Sequence, residues 1–403
     1  VSGEAAALDP DPSQPNAPSE LYTPEFLRAW LLHFLGAMSL AFFMLFPLFV
    51  KAVGGTELTI GLVLGVATAA SVATRPVIGV VLDRIGRRRV LVWAGAWNVL
   101  SWVPFLFVTS PGFPLYLWTV VHDLAWGALF TAYFTYAADL IPPGRRAEGV
   151  AIFGVAGMMA NGLAPSLGER VIDAVGFQGY FGVAMAFGIG SLALSLRVPE
   201  RSAATHVAEP PSLADVLPLA RLASLRAVML ATIVLGIAIN AAYMFIAPFT
   251  RELGIARTGP FFAAYSTTSI VIRLFGRRTL DALGPHGIAG PGFVAFAAGL
   301  AGLMMLPHAG TSTTLVLVVC GIGCGAGHGA LFPVLNALAV SRAPAGKQGA
   351  VVGLHTAAID FGAVAGLPAC GALAEWAGYP VMYGLVGLAS VAGLVIMARD
   401  PVR

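Results

Sequence analysis

The chain has 403 residues, of which 58% are hydrophobic and only 11% charged, with a mean hydropathy of +0.83. A soluble globule typically carries about 25% charged residues, so this composition belongs to a bilayer. The formal charge of +3 is small, and three cysteines imply no disulfide framework. No Gly-x-x-x-x-Gly-Lys-Ser/Thr loop, hydrolase elbow or metalloprotease motif occurs, so an enzyme, an ATP-driven pump and a cofactor are all without support.

In chain order, residues 1–22 are rich in Pro, Ser and acid with no apolar run. They predict a disordered cytoplasmic tail rather than a signal peptide. A helix crosses the hydrocarbon core with roughly 20 mostly apolar residues. Twelve such runs follow, at 27–50, 57–82, 89–109, 113–141, 149–170, 176–197, 227–250, 258–280, 287–306, 312–338, 348–374 and 379–398. The polar stretch 199–226 is the one long connection, which predicts a cytoplasmic linker between six-helix bundles at 23–198 and 227–398, with a short tail at 399–403.

With the N-terminus placed in the cytoplasm, 17 of the 23 Lys and Arg residues fall on the inner side and 4 on the outer, while Arg75 and Arg273 lie inside helices. That is a positive-inside pattern, and it leaves a nucleic-acid partner little to bind.

Two internal echoes indicate duplication. Arg75, Leu82, Asp83 and Gly86 recur 198 positions later as Arg273, Leu280, Asp281 and Gly284, and Gly-Ala-Leu-Phe from Gly127 recurs 202 later from Gly329. Parallel repeats of six helices are one known way to build a carrier.

The stretch GVVLDRIGRRR resembles the signature loop of the major facilitator superfamily, with Gly79, Asp83, Arg84, Gly86, Arg87 and Arg88 filling every position. Asp281 and Gly284 belong to its weaker copy. Within that resemblance, GMMANGLAPSLGE on the fifth span is similar to the Gly/Pro motif of the antiporter branch through Gly162, Pro165 and Gly168. Ala160 and Ala164 stand where glycines are usual. The resemblance implies an all-α membrane fold of twelve helices in two pseudo-repeats. It also implies that Asp83 latches a helix N-terminus of the other half while the cytoplasmic side is closed, where a carboxylate gains roughly 0.3–1 kcal/mol. The arginines of the loop read independently as anchors at the anionic leaflet.

Small residues at helical spacing, such as Gly61, Gly65, Gly321, Gly325 and Gly329, read as tight packing, whereas Gly162 with Pro165 predicts a rocking interface. Ionisable groups deep in a span are candidates for function, because each costs at least about 2.5–3.5 kcal/mol to insert. They are Asp123 and Asp360, joined by His33, His122, His328 and His355. His33 and His355 read first as hydrogen-bonded packing residues.

By resemblance the first, fourth, seventh and tenth helices line the cavity, which offers His33, His122 or Asp123, Asn240 and His328 to a substrate. His122 and Asp123 point about 100° apart, so only one of them is expected to face it. Drug antiporters usually carry an arginine in the fourth helix four residues before a glycine. Here Asp123 holds that place before Gly127, with Thr119 one turn earlier.

Arg75 and Arg273 are expected either to reach the headgroups along their long stems or to pair with a carboxylate at the cytoplasmic gate, for which Asp139 and Asp281 are candidates, with pairing the leading reading for Arg75. Cys320, Cys324 and His328 share a helix face, but span about 12 Å against metal bonds of about 2.0–2.3 Å, so they predict packing and no metal. The expected protein is a monomeric secondary carrier in the plasma (inner) membrane with both termini cytoplasmic. Its partners are a small molecule, protons and the lipid bilayer, and proton-coupled efflux by antiport is the leading direction. A proton-coupled importer, or a non-transporting sensor or assembly protein on the same fold, are the alternatives.

Overall fold

The computed structural model describes residues 20–200, 218, 219 and 221–400. Side chains at positions 75, 76, 79, 80, 83, 143, 147 and 277–282 lie outside the described residues. The expected tail at 1–22, the linker at 199–226 and the end at 399–403 fall largely beyond them.

Among the described residues the chain is helical and has no strand. In the first half, α1 (Pro24–Ala41) runs through a 3-10 turn at Phe42–Leu45 into α2 (Phe46–Ala52), which together make the first span. Next come α3 (Glu57–Ile85), α4 (Arg87–Ser101), α5 (Phe113–Ala138) and the long α6 (Arg146–Ser195), whose two spans meet at Gly176. The second half repeats the plan with α7 (Ala223–Met244), α8 (Ile246–Glu252), α9 (Gly259–Phe275) and α10 (Arg277–Leu303), then α11 (Thr313–Ser341), α12 (Gln348–Ala377) and α13 (Tyr379–Ala398).

Local chemistry sets the starts. Thr23 accepts the Phe26 N–H at 3.1 Å ahead of Pro24, and Thr56 with Thr59 closes a capping box at the head of α3. Eight helical stretches are long and apolar enough to span a membrane by themselves, one of them the double-length stretch within α6. The third, fourth and eighth expected spans fall outside that set for physical reasons. The α4 helix has only 15 residues before the chain tightens into a 3-10 turn at Val103–Leu106, α9 has 17, and α5 is diluted by His122, Asp123 and its tyrosines.

Positive φ at glycine repeats with the fold. Gly54 and Gly254 follow the first and seventh spans, Gly86 and Gly284 follow the second and eighth, and Gly176 and Gly378 divide the fifth from the sixth and the eleventh from the twelfth. The offsets are 200, 198 and 202, so the duplication read in two sequence echoes extends to the backbone of the turns.

Among the described residues two helix pairs make most of the contact between the halves, α3 with α12 and α6 with α9, and the pseudo-symmetry exchanges one pair for the other. A Cβ on Gly65 would stand 2.9 Å from Pro368 Cγ, and one on Gly162 would stand 3.0 Å from Ser266 Cβ. The seam expected at Gly162 therefore extends to Gly61 and Gly65, which the sequence suggested only as packing. By contrast, Gly321, Gly325 and Gly329 pack on α9 within the second half. Gly61→Val pushes a side chain onto the Leu367 main chain, and overpacking of this kind costs about 1–3 kcal/mol. The purified variant is expected to melt several degrees lower, and an unchanged melting temperature would show that the seam gives way freely.

Candidate functional site: a cavity between the halves

A cavity of about 350 Å³ lies between the two halves, lined from α1, α3, α5 and α6 on one side and α7, α11 and α12 on the other. His33, His122, Asp123, Asn240, His328 and Asp360 all line it, so the structure brings the six proton and substrate candidates together. His122 and Asp123 both contribute, contrary to the expectation that only one would. Residues 100° apart can share a wall because the cavity wraps around α5. The lining helices include the expected first, fourth, seventh and tenth spans and add the second, fifth and eleventh.

Polar groups in the wall are fixed by neighbours. His33 is 4% exposed, donates from Nδ1 to the Phe153 carbonyl at 3.2 Å and stacks on the Phe153 ring. His122 is buried against Phe43 and Trp102, with Nδ1 2.8 Å from Ser101 Oγ. His328 lies 2.9 Å from the Tyr265 hydroxyl through Nδ1, while the Arg273 guanidinium donates to its Nε2 at 3.4 Å. The Phe332 ring covers that guanidinium at 5.3 Å. Arg273 thus turns toward the cavity wall, a different role from the headgroup contact or carboxylate pair that the sequence suggested. His355, expected as packing, lies outside the cavity with Nδ1 3.2 Å from Thr232 Oγ1.

At the end of the bundle that carries the termini, Gly86 takes φ 100° and starts α4. The Arg87 side chain, 6% exposed, donates to Asp139 at 3.2 Å and to the Leu82 carbonyl at 3.0 Å, while Arg88 reaches the Leu196 carbonyl at 2.7 Å. Arg84 is exposed. The side chains of Arg75, Asp83 and Asp281 lie outside the described residues, and Gly79 is on α3. Asp139 therefore engages the signature loop through Arg87. A double-mutant cycle of Arg87→Ala and Asp139→Ala is expected to show coupling of about 0.5–3 kcal/mol in thermal stability, because removing either partner strands a poorly solvated charge. Additive effects would mean that the contact contributes nothing.

The opposite end, called the far end here, carries polar contacts between the halves. Glu169, 2% exposed at the end of the fifth span, accepts the Thr258 N–H at 2.6 Å and the Gly259 N–H at 3.2 Å, and so caps α9. In the mirror relation Glu375, near the end of α12, accepts the Leu58 N–H at 2.9 Å and caps α3. Tyr379 donates to Glu57 at 3.2 Å, and Asp173 pairs with Arg251 and Arg257. A carboxylate on unpaired helix N–H groups is worth about 0.3–2 kcal/mol, more when the site is partly buried. Gly168 packs against Leu45 and Tyr180 just before Glu169, while Pro165 sits inside α6 without a break in the helix there.

Sequence reading missed Glu169, Glu375, Asn161 and Tyr243, the last two of which line the cavity. The usable signal for Glu169 was its place directly after Gly168 in the fifth-span motif. Cys320 and Cys324 are buried against glycines of α10, and the described residues hold no group of three metal-ligating side chains.

Residues 29–367 match the profile of the Major Facilitator Superfamily. An Escherichia coli protein named "Uncharacterized MFS-type transporter YhhS" is 30% identical over 148 residues, which is 35% of this chain and 36% of that protein, so the chain matches only about a third of the relative's length. The Salmonella typhimurium protein of the same name is 30% identical over 139 residues, 34% of this chain and 32% of its own. Among solved structures, the nucleoside transporter NupG superposes with a TM-score of 0.78 at 13% identity, covering 94% of this chain and 99% of that one. A mutant of the peptide transporter POT gives 0.75 at 16% identity, covering 93% and 94%. These structures share the fold, and the fold is what such identities convey. With twelve spans in two repeats, a signature loop folded as a Gly-hinged turn and a profile match over most of its length, the chain belongs to the Major Facilitator Superfamily of membrane transporters.

Proposed function

We propose that the protein is a proton-coupled secondary carrier that exports a small molecule by rocking its two halves about the central cavity. The observation that carries this reading is the convergence of Asp123 and Asp360 on one cavity lined by both halves. An acid placed there exchanges a proton when water reaches it from either side, and a carrier needs such a group at the point where access alternates. Export rests on the resemblance of the fifth-span motif to the antiporter branch and on its Gly162 packing against α9 of the other half.

Orientation follows the basic residues, with both termini in the cytoplasm of a cell whose inner membrane holds the protein as a monomer. The far-end contacts then seal the outer side, which makes this conformer the one that takes substrate from the cytoplasm. Among the described residues, a separate buried core around Phe26, Leu91, Tyr136 and Phe153 belongs to the first half alone at the terminal end. The larger core runs through both halves. The Asp83 latch belongs to the alternative conformer, closed at the cytoplasm. Asp83→Asn is expected to keep insertion and to lower the population of that closed form, read by distances between spin labels on the two cytoplasmic halves. An unchanged population would remove the latch.

The function is tested with oriented vesicles and a panel of solutes identified by their stabilisation of the purified protein, since binding raises apparent stability by mass action. Solute accumulation in everted vesicles driven by an inside-acid gradient supports export. Accumulation only in right-side-out vesicles would mark an importer, and gradient-independent stabilisation without transport would mark a sensor.

A further inference from the structure

The hydrogen-bond directions in the cavity wall fix the histidine tautomers. Ser101 has one hydroxyl proton, and it donates to the Asn98 carbonyl at 2.8 Å. With that proton so used, the 2.8 Å contact between Ser101 Oγ and His122 Nδ1 is donated by His122, and in the neutral ring Nε2 is then the acceptor. That Nε2 is buried and has no hydrogen-bond partner. His33 reaches the same state by a simpler route, because the Phe153 carbonyl can only accept, so Nδ1 carries the proton. In both rings Nδ1 is thus engaged as a donor, Nε2 is the remaining polar atom, and both residues line the cavity.

Other lining groups point their protons the same way. Tyr133 donates to Ser191 Oγ, whose own proton goes to the Leu32 carbonyl at 2.9 Å. Ser71 donates to the Asp123 carbonyl at 3.2 Å and Asn240 to the Gly236 carbonyl at 2.9 Å. These contacts engage one donor from each of five lining residues, while Thr68, Asn161 and the second amide proton of Asn240 keep donors elsewhere in the lining. Phe43, Trp126 and Phe130 supply aromatic surface beside them. On the second half Arg273 already donates to His328 under the Phe332 ring, so His328 Nε2 is occupied.

We propose that His33 and His122 select the substrate by accepting hydrogen bonds through Nε2, so that the transported molecule carries N–H or O–H donors on an aromatic or apolar body and has no anionic group at that wall. The inference rests on reading the cavity as the substrate site. An anion there meets lone pairs, whereas a protonated amine meets acceptors and aromatic faces. Ser101 is a positioning residue, acting through the tautomer that it imposes on His122.

The test uses the full chain in lipid nanodiscs with ¹⁵N-labelled histidine, assigned by His33→Phe and His122→Phe. Without ligand, both residues are expected to report Nδ1–H and unprotonated Nε2, and an Nε2–H signal at His122 would overturn the inference whatever the protein transports. Three probes follow: phenethylamine, its N,N,N-trimethyl analogue with the same charge and no donor, and 3-phenylpropionate.

Phenethylamine is expected to shift both Nε2 resonances and to bind about tenfold more tightly than the trimethyl analogue, the scale of one lost hydrogen bond, with the carboxylate weakest. The preference should collapse in His122→Phe and weaken in Ser101→Ala, a variant that leaves the cavity lining in place. Equal or tighter binding of the trimethyl compound or the carboxylate would overturn the proposal, as would the absence of any amine-induced shift. The tautomer signals need no transport, so they separate this inference from the carrier reading itself.

Discussion

Asp123→Asn is expected to abolish accumulation driven by a pH gradient while leaving counterflow exchange of substrate intact. The substitution keeps nearly the same shape and removes only the titrating proton. Asp123 lies on α5, 10 residues beyond its first residue Phe113. At the helical rise of about 1.5 Å per residue that is roughly 15 Å deep, near the middle of a hydrocarbon core of about 30 Å. An acid at such depth can exchange its proton only when water reaches it, so the side from which water enters sets where the proton is loaded or released. Asp360 shares the cavity and is the competing carrier of the proton. Vesicles that hold each Asn variant with an identified substrate decide between them. Full pH-driven accumulation by the Asp123 variant would move the coupling to Asp360, where the matching loss should then appear.

Glu169→Gln is expected to loosen the far end. The wild-type carboxylate binds two main-chain N–H groups at the start of α9 while buried, and the amide keeps the shape but loses the charge that the helix terminus attracts. A loss of about 1–2 kcal/mol corresponds to a population change of about 5- to 30-fold toward the form open at that end. Spin labels at the exposed residues Val175 and Trp376, one on each half, should report a longer distance in the variant. Asp83→Asn should act with the opposite sign, because its proposed contact holds the other end. An unaltered distance distribution in Glu169→Gln would show that backbone packing alone closes the far end.

How much of this was readable in advance depends on which physical term marks each residue. Hydropathy marks twelve spans because bilayer crossing is a property of one segment at a time. Asp123 and Asp360 were visible for the same reason, since an acid in an apolar run is costly wherever its helix packs. Glu169 was hidden. An acid at a helix end reads as solvated, and its partners are main-chain N–H groups of a span some 90 residues away, which leave no side-chain signal. The placement of His122 beside Asp123 failed in a different way, since a helical wheel gives angles but not the width of the cavity. Arg273 shows a third limit. Its charge and depth were legible, but its choice of His328 over a carboxylate depended on where α11 sits. Gly61 and Gly65 carried the right spacing for close approach, and only the identity of the neighbour, α12 of the other half, was missing.

The paired positive-φ glycines give the molecule its own internal control. Gly176→Ala and Gly378→Ala impose the same strained backbone on corresponding turns of the two halves, as do changes at Gly54 and Gly254. Whatever a pair shares reports the hinge, and whatever differs reports what evolution has made unequal since the duplication. The asymmetry between the loading and releasing strokes of such a carrier can then be read within one chain, under the same lipid, voltage and substrate.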